Sequence, residues 1–278
     1  MKTLRTLQEL SHWLAEHPQP ALVPTMGALH AGHLALIQAA QAIGQPVLVS
    51  IFVNPAQFGP DEDFADYPRD TEGDLAKLEA AAVDAAFLPH MAEMCPGNRK
   101  PKLPVLPKVF SELEGEVRPG HFAGVAQAVF RLFQLIRPQV AFFGQKDFQQ
   151  TVLVRWLVRS CGFETQIEVV PTVRETSGLA LSSRNAYLSE QERIAAASLY
   201  QALQAGQRRY AVGERNAEHL IRTVQQQLEA EPAFESIDYV DIRGPHFFDK
   251  VHWVAKPSVL VAAVRMGKVR LIDNVIVG

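Results

Sequence analysis

The chain has 278 residues, of which 47% are hydrophobic and 21% are charged. That balance is ordinary for a globular protein with one large domain or two smaller ones. A formal net charge of −3 gives no general reason to expect a nucleic acid or an anionic membrane as a partner. Cys95 and Cys161 stand in no CxxC motif, so neither a disulfide framework nor a zinc site is predicted, and both cysteines are expected to be reduced.

Residues 1–17 have the pattern of an amphipathic helix that carries acidic residues. This pattern lacks the apolar core of a cleavable signal peptide, and no stretch of the chain approaches the ~18 apolar residues that a membrane span requires. A cytoplasmic protein is therefore expected.

Residues 20 to about 171 alternate short apolar runs with longer amphipathic runs. The apolar runs predict parallel strands at 21–24, 46–53, 85–88, 140–143 and 166–170. A helix is predicted from about Ala123, with apolar residues near the 3.6-residue period, and it stops before Pro138. The alternation predicts an α/β fold: a Rossmann-like doubly wound parallel sheet with ligands at the carboxyl ends of its strands.

The pattern changes near residue 171. Ser189 and Glu192 form a capping box that opens a long helix to about residue 210, and a second helix is predicted at 215–229. Strands are predicted at 237–242, 259–264 and 269–277, with a hairpin turn at 266–268. We therefore predict a domain at 1–171 and a smaller α+β domain at 172–278. The proline-rich segment 96–107 is predicted to be a loop.

Residues 24–33, PTMGALHAGH, place two histidines three positions apart where a predicted strand turns into a predicted helix. The first N–H groups of a helix and its dipole favour a bound anion. Gly27 and Gly32 permit close approach of the backbone, and His30 and His33 can donate hydrogen bonds to a phosphate. The alternative is that both histidines only cap the helix. The pattern resembles the HxGH signature of class I aminoacyl-tRNA synthetases and nucleotidylyltransferases.

Two further segments follow predicted strands. Residues 52–70 are too rich in proline and glycine for regular structure, and Gln57 there offers an acceptor and two donors, which suit a substrate with a carboxylate and hydroxyls. The alternative is a loop glutamine that faces water. Residues 142–150, FFGQKDFQQ, place Lys146 where a cation can offset phosphate charge, Asp147 where it can accept from ribose hydroxyls, and Gln150 one helical turn further on. Lys146 and Asp147 can instead be a solvated pair.

Two more segments complete the set. In LALSSRN, residues 179–185, the hydroxyls of Ser182 and Ser183 and the guanidinium of Arg184 can bind phosphate oxygens, although a helix-capping turn has the same composition. His121 opens a predicted helix after a glycine. It is either a helix-start residue without a catalytic role or a ligand-binding residue.

Taken together, five segments resemble the pantothenate synthetase family in order and spacing: PTMGALHAGH, FVNPAQF with EDFADYPRD, HFAGV, FGQKDFQQ and GLALSSRN. The resemblance covers about residues 20 to 190. The chain departs from the family pattern at four positions: Gln145 replaces glutamate, Ser177 and Ala123 replace aspartates, and Gln127 replaces threonine. None of these departures removes a presumed catalytic group.

The resemblance implies functional residues on the matching positions. His30, His33 and Lys146 are expected to be catalytic, with His33 as proton donor, and Gln57 and Gln150 are expected to hold pantoate. The expected ATP site consists of Met26, Gly27, Ala28, Leu29, His30, Ala31, Gly32, His33, Gly144, Gln145, Lys146, Asp147, Val173, Leu181, Ser182, Ser183 and Arg184.

The resemblance also implies an ATP-dependent ligation in two steps. The carboxylate of pantoate attacks the α-phosphorus of Mg–ATP to give pantoyl adenylate and pyrophosphate, and the amine of β-alanine then displaces AMP. Mg²⁺ is expected mainly on the ATP phosphates, without a protein metal site. Asp74 is either an outer contact to that ion or an acid on a helix surface. The family also implies a homodimer.

Two rival functions remain open. A nucleotidylyltransferase that acts on a phosphorylated acceptor uses the same HxGH turn, but it needs extra basic residues where this chain has Gln57 and Gln150. An RNA-binding module derived from a synthetase is the second rival. The sequence pI near 6.3 and the lack of a basic stripe interleaved with aromatic residues count against it.

Overall fold

The computed structural model describes residues 1–60, 62–95 and 102–278. The predicted loop at 96–107 therefore lies in part outside the described residues, and its remainder, 102–107, has no regular structure. Contacts divide the chain into two compact units, Met1–Gly144 with Leu153–Pro171, and Gln145–Val152 with Thr172–Gly278. The domain boundary after residue 171 stays a prediction, and the units differ from it by placing 145–152 with the C-terminal residues.

The first unit contains six strands: β1 (Lys2–Leu4), β2 (Ala21–Thr25), β3 (Val47–Ile51), β4 (Ala85–Phe87), β5 (Val140–Gly144) and β6 (Gln166–Val170). They form one sheet in the order β1-β4-β3-β2-β5-β6, and every pair is parallel. The predicted Rossmann-like sheet is therefore confirmed, with its five predicted strands in place.

The N-terminal prediction is partly wrong, because residues 2–4 form β1 and pair with β4. The helix begins only at Leu7. Thr6 caps it, and the Glu9 side chain accepts from the backbone N–H of Thr6 at 3.0 Å, so the two residues form a capping box that separates strand from helix.

The helices before the C-terminal region are α1 (Leu7–Glu16), α2 (Ala31–Gln41), α3 (Thr71–Ala80), α4 (Met91–Met94), α5 (Glu114–Val117), α6 (His121–Ile136) and α7 (Phe148–Cys161). Helix α6 ends where predicted, because Arg137 adopts a left-handed conformation just before Pro138. The core of this unit packs α2 and α3 on the sheet through fully buried residues such as Val23, Ile37 and Leu78.

The chain order reverses at β2, which lies between β3 and β5. Strands β2 and β3 pair over five positions, whereas β2 and β5 pair only at Ala21–Val140 and Leu22–Ala141. The paired segment of β2 and β5 therefore ends before the carboxyl ends of these strands are reached. In doubly wound sheets, ligands bind outside the carboxyl ends of strands at such a switch point.

The second unit contains α8 (Glu190–Ala196), α9 (Ser198–Ala211), α10 (Ala217–Glu229), β7 (Ser236–Arg243), β8 (Ser258–Met266) and β9 (Val269–Val277). The three strands form an antiparallel sheet in that order, and Gly267 and Lys268 make the predicted hairpin turn. The predicted small α+β architecture is therefore confirmed. Its core includes Leu203, Leu220 and Leu260.

The single helix predicted from residue 189 to about 210 is instead two helices. Ala197 interrupts it, and its N–H donates to the Ile194 carbonyl at 3.3 Å, a contact three residues back that tightens the turn. The capping box of Ser189 and Glu192 is present as predicted. Among the described residues, no helix combines the length and apolar character needed to traverse a bilayer.

Candidate active site

The turn between β2 and α2 contains the HxGH residues. His30 is the N-cap of α2. Gly27 and Ala28 have φ of 81° and 50°, both left-handed. A Cβ atom on Gly27 would lie 2.9 Å from Asp74 Oδ2 and 3.2 Å from Ile51 Cγ2. Glycine is therefore required at this position by both conformation and space.

Asp74 of α3 holds this turn. Its carboxylate accepts from the backbone N–H of Ala28 at 2.8 Å and of Leu29 at 2.7 Å. Lys77 donates to the Leu29 carbonyl at 2.9 Å, and its ammonium lies 3.8 Å from Asp74 Oδ1. Asp74 is 1% exposed, so the interpretation as a helix-surface acid is wrong. Both of its oxygens accept backbone N–H groups, and the alternative role of an outer contact to Mg²⁺ stays a prediction.

The two imidazoles are oriented by backbone donors. The N–H of Gly32 donates to His30 Nδ1 at 3.1 Å, and the N–H of His30 donates to His33 Nδ1 at 3.2 Å. An Nδ1 atom that accepts a hydrogen bond fixes the tautomer with the proton on Nε2. The ring centroids lie 4.1 Å apart. The turn therefore holds two neighbouring imidazoles whose Nδ1 atoms accept from the backbone and whose donors are the Nε2–H groups.

The electrostatic environment keeps His33 neutral. Burial, followed by the nearby charges of His30 and Lys77, lowers the pKa of His33 to about 3. At neutral pH the ring therefore carries no positive charge. It can donate a hydrogen bond to a phosphate, but it has no acidic imidazolium proton to release.

Gln57 lies beside the same turn. Its Nε2 is 2.8 Å from Met26 Sδ. Its Oε1 accepts from the buried Asn54 at 3.1 Å, and Asn54 also donates to the carbonyl of Gly124 at 3.0 Å. A Cβ atom on Gly124 would lie 2.0 Å from the Ala56 carbonyl oxygen. The first unit therefore brings the predicted pantoate residue against the predicted ATP turn, and it does so through close packing of α6.

Arg118 and His121 fix the backbone of Gln57. His121 Nδ1 donates to the Gln57 carbonyl at 2.8 Å, and Arg118 donates to the same oxygen at 3.4 Å and to Glu62 at 2.7 Å. Burial, together with the charge of Arg118, lowers the pKa of His121 to about 4. His121 is thus a helix-start residue whose ring supports the Gln57 loop, and its alternative role in ligand binding stays a prediction.

The second unit contains Lys146 in a short 3-10 turn, Gln145–Asp147, that leads into α7. Asn274 of β9 donates to the carbonyls of Gln145 at 2.9 Å and Lys146 at 3.0 Å. A pocket in this unit is lined by residues that include Lys146, Ser182, Asn185, Tyr200, Arg270 and Asp273. Two residues of the predicted ATP set, Lys146 and Ser182, therefore share one pocket.

Residues 182–184, the serines and arginine of LALSSRN, are also held by local contacts. Ser182 caps a 3-10 helix, Ser183–Tyr187, and accepts from the Arg184 N–H at 3.3 Å. Leu181 N–H donates to the Val173 carbonyl at 3.0 Å, which places these two predicted ATP residues side by side. Gln150 lies half-buried on α7, and Asp147 is exposed.

Three residues form hydrogen bonds to predicted site residues and were not identified from sequence in that role: Asn54, Asp74 and Asn274. The partners of Asp74 and Asn274 lie 46 and 129 positions away, so no local pattern could have found them. Asn54 directly follows a strand in NPAQ, and its side chain accepts from Ala56 N–H at 3.1 Å, which is a turn signal that sequence inspection can use. Within the described ranges, no group of three or more His, Cys, Asp and Glu side chains is placed to hold a metal ion.

Comparison with known proteins identifies the family of the chain. The family model for pantoate-beta-alanine ligase matches residues 1–276. The pantothenate synthetase of Chloroflexus aggregans is 48% identical over 275 residues, which are 99% of each chain. That of Herpetosiphon aurantiacus is 45% identical over 277 residues, covering 99% of this chain and 100% of the relative.

Solved structures give the same result. The crystal structure of pantothenate synthetase from Thermus thermophilus has a TM-score of 0.93 and 44% identity, with 99% of each chain covered. A pantoate-beta-alanine ligase from Francisella tularensis, solved in complex with beta-gamma ATP and beta-alanine, has a TM-score of 0.80 and 31% identity, with 99% of this chain and 97% of that chain covered. With its sheet, its HxGH turn and these full-length matches, the chain is a ligase and belongs to the pantoate–β-alanine ligase family.

Proposed function

We propose that this protein condenses pantoate with β-alanine through a pantoyl adenylate, releasing pyrophosphate in the first step and AMP in the second. The observation that carries this proposal is the pair of imidazoles of His30 and His33, oriented by backbone donors beside the amide of Gln57, all within the first unit. The Francisella tularensis relative, solved in complex with beta-gamma ATP and beta-alanine, supports the choice of ATP and β-alanine as two of the three substrates.

In the first step, an oxygen of the pantoate carboxylate forms a bond to the α-phosphorus of Mg–ATP, and the bond to the bridging oxygen of pyrophosphate breaks. Two anions must approach each other, so donors that neutralise charge lower the barrier. We assign this role to Nε2–H of His30 and His33 and to the ammonium of Lys146. Because His33 is neutral, hydrogen-bond donation is the role that its environment supports, in place of the proton-donor role implied by the family.

In the second step, the amine of β-alanine attacks the acyl carbon and AMP leaves with the electrons of the broken C–O bond. The nitrogen, which became positively charged on attack, loses one proton to solvent and leaves a neutral amide. The protein needs no nucleophile of its own, because the adenylate supplies the leaving group, and orientation of the reactants accounts for the rate. Gln57 and Gln150 are assigned to pantoate, and Gln57 also faces β-alanine.

The remaining ATP contacts are assigned to the turn 26–33, to residues 144–147, and to Val173 and 181–184. Mg²⁺ enters as part of Mg–ATP and is held by the phosphates, in keeping with the reluctance of this ion to lose its waters. A homodimer in the cytoplasm remains the expected state of the protein.

Pyrophosphate exchange into ATP tests this function. We expect exchange only when pantoate is present, and pantothenate only after β-alanine is added. The His33→Ala variant should lose exchange, whereas the exposed-residue control His12→Ala should keep it. Exchange that depends on a phosphorylated acceptor and not on pantoate would refute the proposal in favour of a nucleotidylyltransferase.

A further inference from the structure

Asn274 is a buried amide on β9 that contacts the turn carrying Lys146. The side chain is 2% exposed. Its Nδ2 donates to the carbonyl oxygens of Gln145 at 2.9 Å and Lys146 at 3.0 Å, and its Oδ1 accepts from Gln145 Nε2 at 3.1 Å. One side chain therefore makes three hydrogen bonds to two consecutive residues.

The chemistry of these partners fixes the orientation of the amide. Backbone carbonyls only accept, so the NH₂ group of Asn274 must face Gln145 and Lys146. Both protons of that group are used, and no other residue type of similar size offers two donors and an acceptor. An aspartate would place carboxylate oxygens against two carbonyl oxygens.

Asn274 is itself held in place. Its backbone N–H donates to Asp273 Oδ1 at 2.8 Å, and Asp273 accepts from Arg174 Nη2 at 2.9 Å. Arg174 also donates to the Gly178 carbonyl at 3.1 Å and stacks over the Tyr200 ring at 3.6 Å. Asn274 therefore belongs to a partly buried hydrogen-bond network that extends to Gly178, the residue before the segment 179–185.

We propose that Asn274 is a positioning residue for Lys146: by fixing the backbone of the turn 145–147, it directs the lysine ammonium toward the phosphates. This inference rests on the proposed function, in which Lys146 touches ATP. Asn274 does not touch a substrate in this account. Its effect on the rate must pass through Lys146.

A double-mutant cycle separates this role from a general contribution to stability. We expect Asn274→Ala to lower the rate of pantoate-dependent exchange by up to about 100-fold, the loss that a misplacement of roughly 1 Å can cause. In a Lys146→Ala background the same change should lower the residual rate less than about twofold, because residues that act together are not additive.

Asn216→Ala is the matched control. Asn216 is an asparagine of the same unit that caps α10 by accepting from the N–H groups of Glu218 and His219. Its loss should lower the melting temperature without lowering the exchange rate. If Asn274→Ala fails to fold, Asn274→Ser keeps one donor and serves in the same cycle.

The outcomes distinguish the two levels of the account. If the fold loss of exchange rate in the double variant equals the product of the losses in Asn274→Ala and Lys146→Ala, the inference is overturned while the proposed function stands. A wild-type protein without pantoate-dependent exchange would refute the proposed function and, with it, this inference. A normal wild-type rate with non-additive effects supports both.

Discussion

The turn that opens α2 in the first unit and the turn at 145–147 in the second unit are anchored in opposite ways. Asp74 accepts from two backbone N–H groups of the first turn, whereas Asn274 donates to two backbone carbonyls of the second. One anchor is a charged acceptor that lies near Lys77, and the other is a neutral donor. In both cases the anchor binds backbone atoms, and in the second turn Asn274 also accepts from the side-chain amide of Gln145.

The two anchors should contribute unequally to the stability of the protein. Buried N–H groups without a partner are rarer in proteins than carbonyls without one, because a carbonyl with two lone pairs is more often left partly satisfied. The first turn also contains left-handed Ala28, which adds strain that the anchor must hold. Loss of Asp74 should therefore destabilise the protein more than loss of Asn274.

Removing the side chain of Lys146 or His33 tests whether the two turns serve the same reaction, and we expect it to change the rate most. Lys146→Ala and His33→Ala should each slow adenylate formation by roughly 100-fold or more, the usual consequence of removing one preorganised electrostatic donor. Single-turnover measurement of pyrophosphate release gives the rate. Lys268→Ala, in the exposed hairpin turn, is the control with unchanged activity. A normal rate in either variant would remove that turn from the chemistry.

Truncation of the first anchor should have the next largest effect. Asp74→Ala leaves two backbone N–H groups unsatisfied, each worth about 1–3 kcal/mol, so we expect about 3 kcal/mol less stability. Asp70→Ala on the same helix removes only the N-cap bond to Gly73, at about 1 kcal/mol. Urea denaturation measures both. Equal losses for Asp74→Ala and Asn274→Ala would contradict the proposed asymmetry.

A third change tests the support of Gln57. Gly124→Ala forces a Cβ atom to 2.0 Å from the Ala56 carbonyl and 2.6 Å from the Gln57 nitrogen, so the loop must move, with a loss of about 1–3 kcal/mol. Titration should show weaker pantoate binding and little change for ATP, as for Gln57→Ala. For the control Gly59→Ala in the same loop, the nearest atom to the added Cβ is Glu62 Oε1 at 3.6 Å, an ordinary contact distance, so this variant should bind pantoate normally. Equal weakening for both ligands would contradict the assignment of Gln57.

The smallest effect concerns pH. The folded-state pKa of His121 is about 4, below the ordinary value, so between pH 6.5 and 4 the unfolded chain binds more protons than the folded one. The free energy of unfolding should therefore fall as the pH falls, and His121 should contribute about 1 kcal/mol of that loss per pH unit. His121→Gln should show a shallower decline of stability in that window than wild type, and the exposed-residue variant His12→Gln should not.

For His33, whose pKa is about 3, the pH profile of the reaction rate should show no inflection above pH 5.

Much of the sheet was predictable because its buried strands are short apolar runs. Residues 21–24 and 166–170 are two such runs, and the ends of these two observed strands differ from the predicted ends by at most one residue. The three residues of β1 gave no such signal, since their alternation merges into the pattern of α1. The break at Ala197 was also hidden, because the apolar spacing continues through it.

The candidate site was predictable where chemistry is local. His30, His33 and Gln57 follow strand ends, and the structure groups them within one unit. Asp74 was misinterpreted because helix periodicity says nothing about a partner in another element. The same limit applies to Asn274 and to His121, whose roles depend on backbone atoms brought close only by folding.

A crystal structure of the protein with ATP and pantoate bound is the most direct test of the central claim. We predict that Nε2 of His30 and His33 and the ammonium of Lys146 lie within hydrogen-bond distance of the phosphates. The amides of Gln57 and Gln150 should contact pantoate. Imidazoles directed away from the nucleotide, or the two glutamine amides on separate ligands, would contradict it.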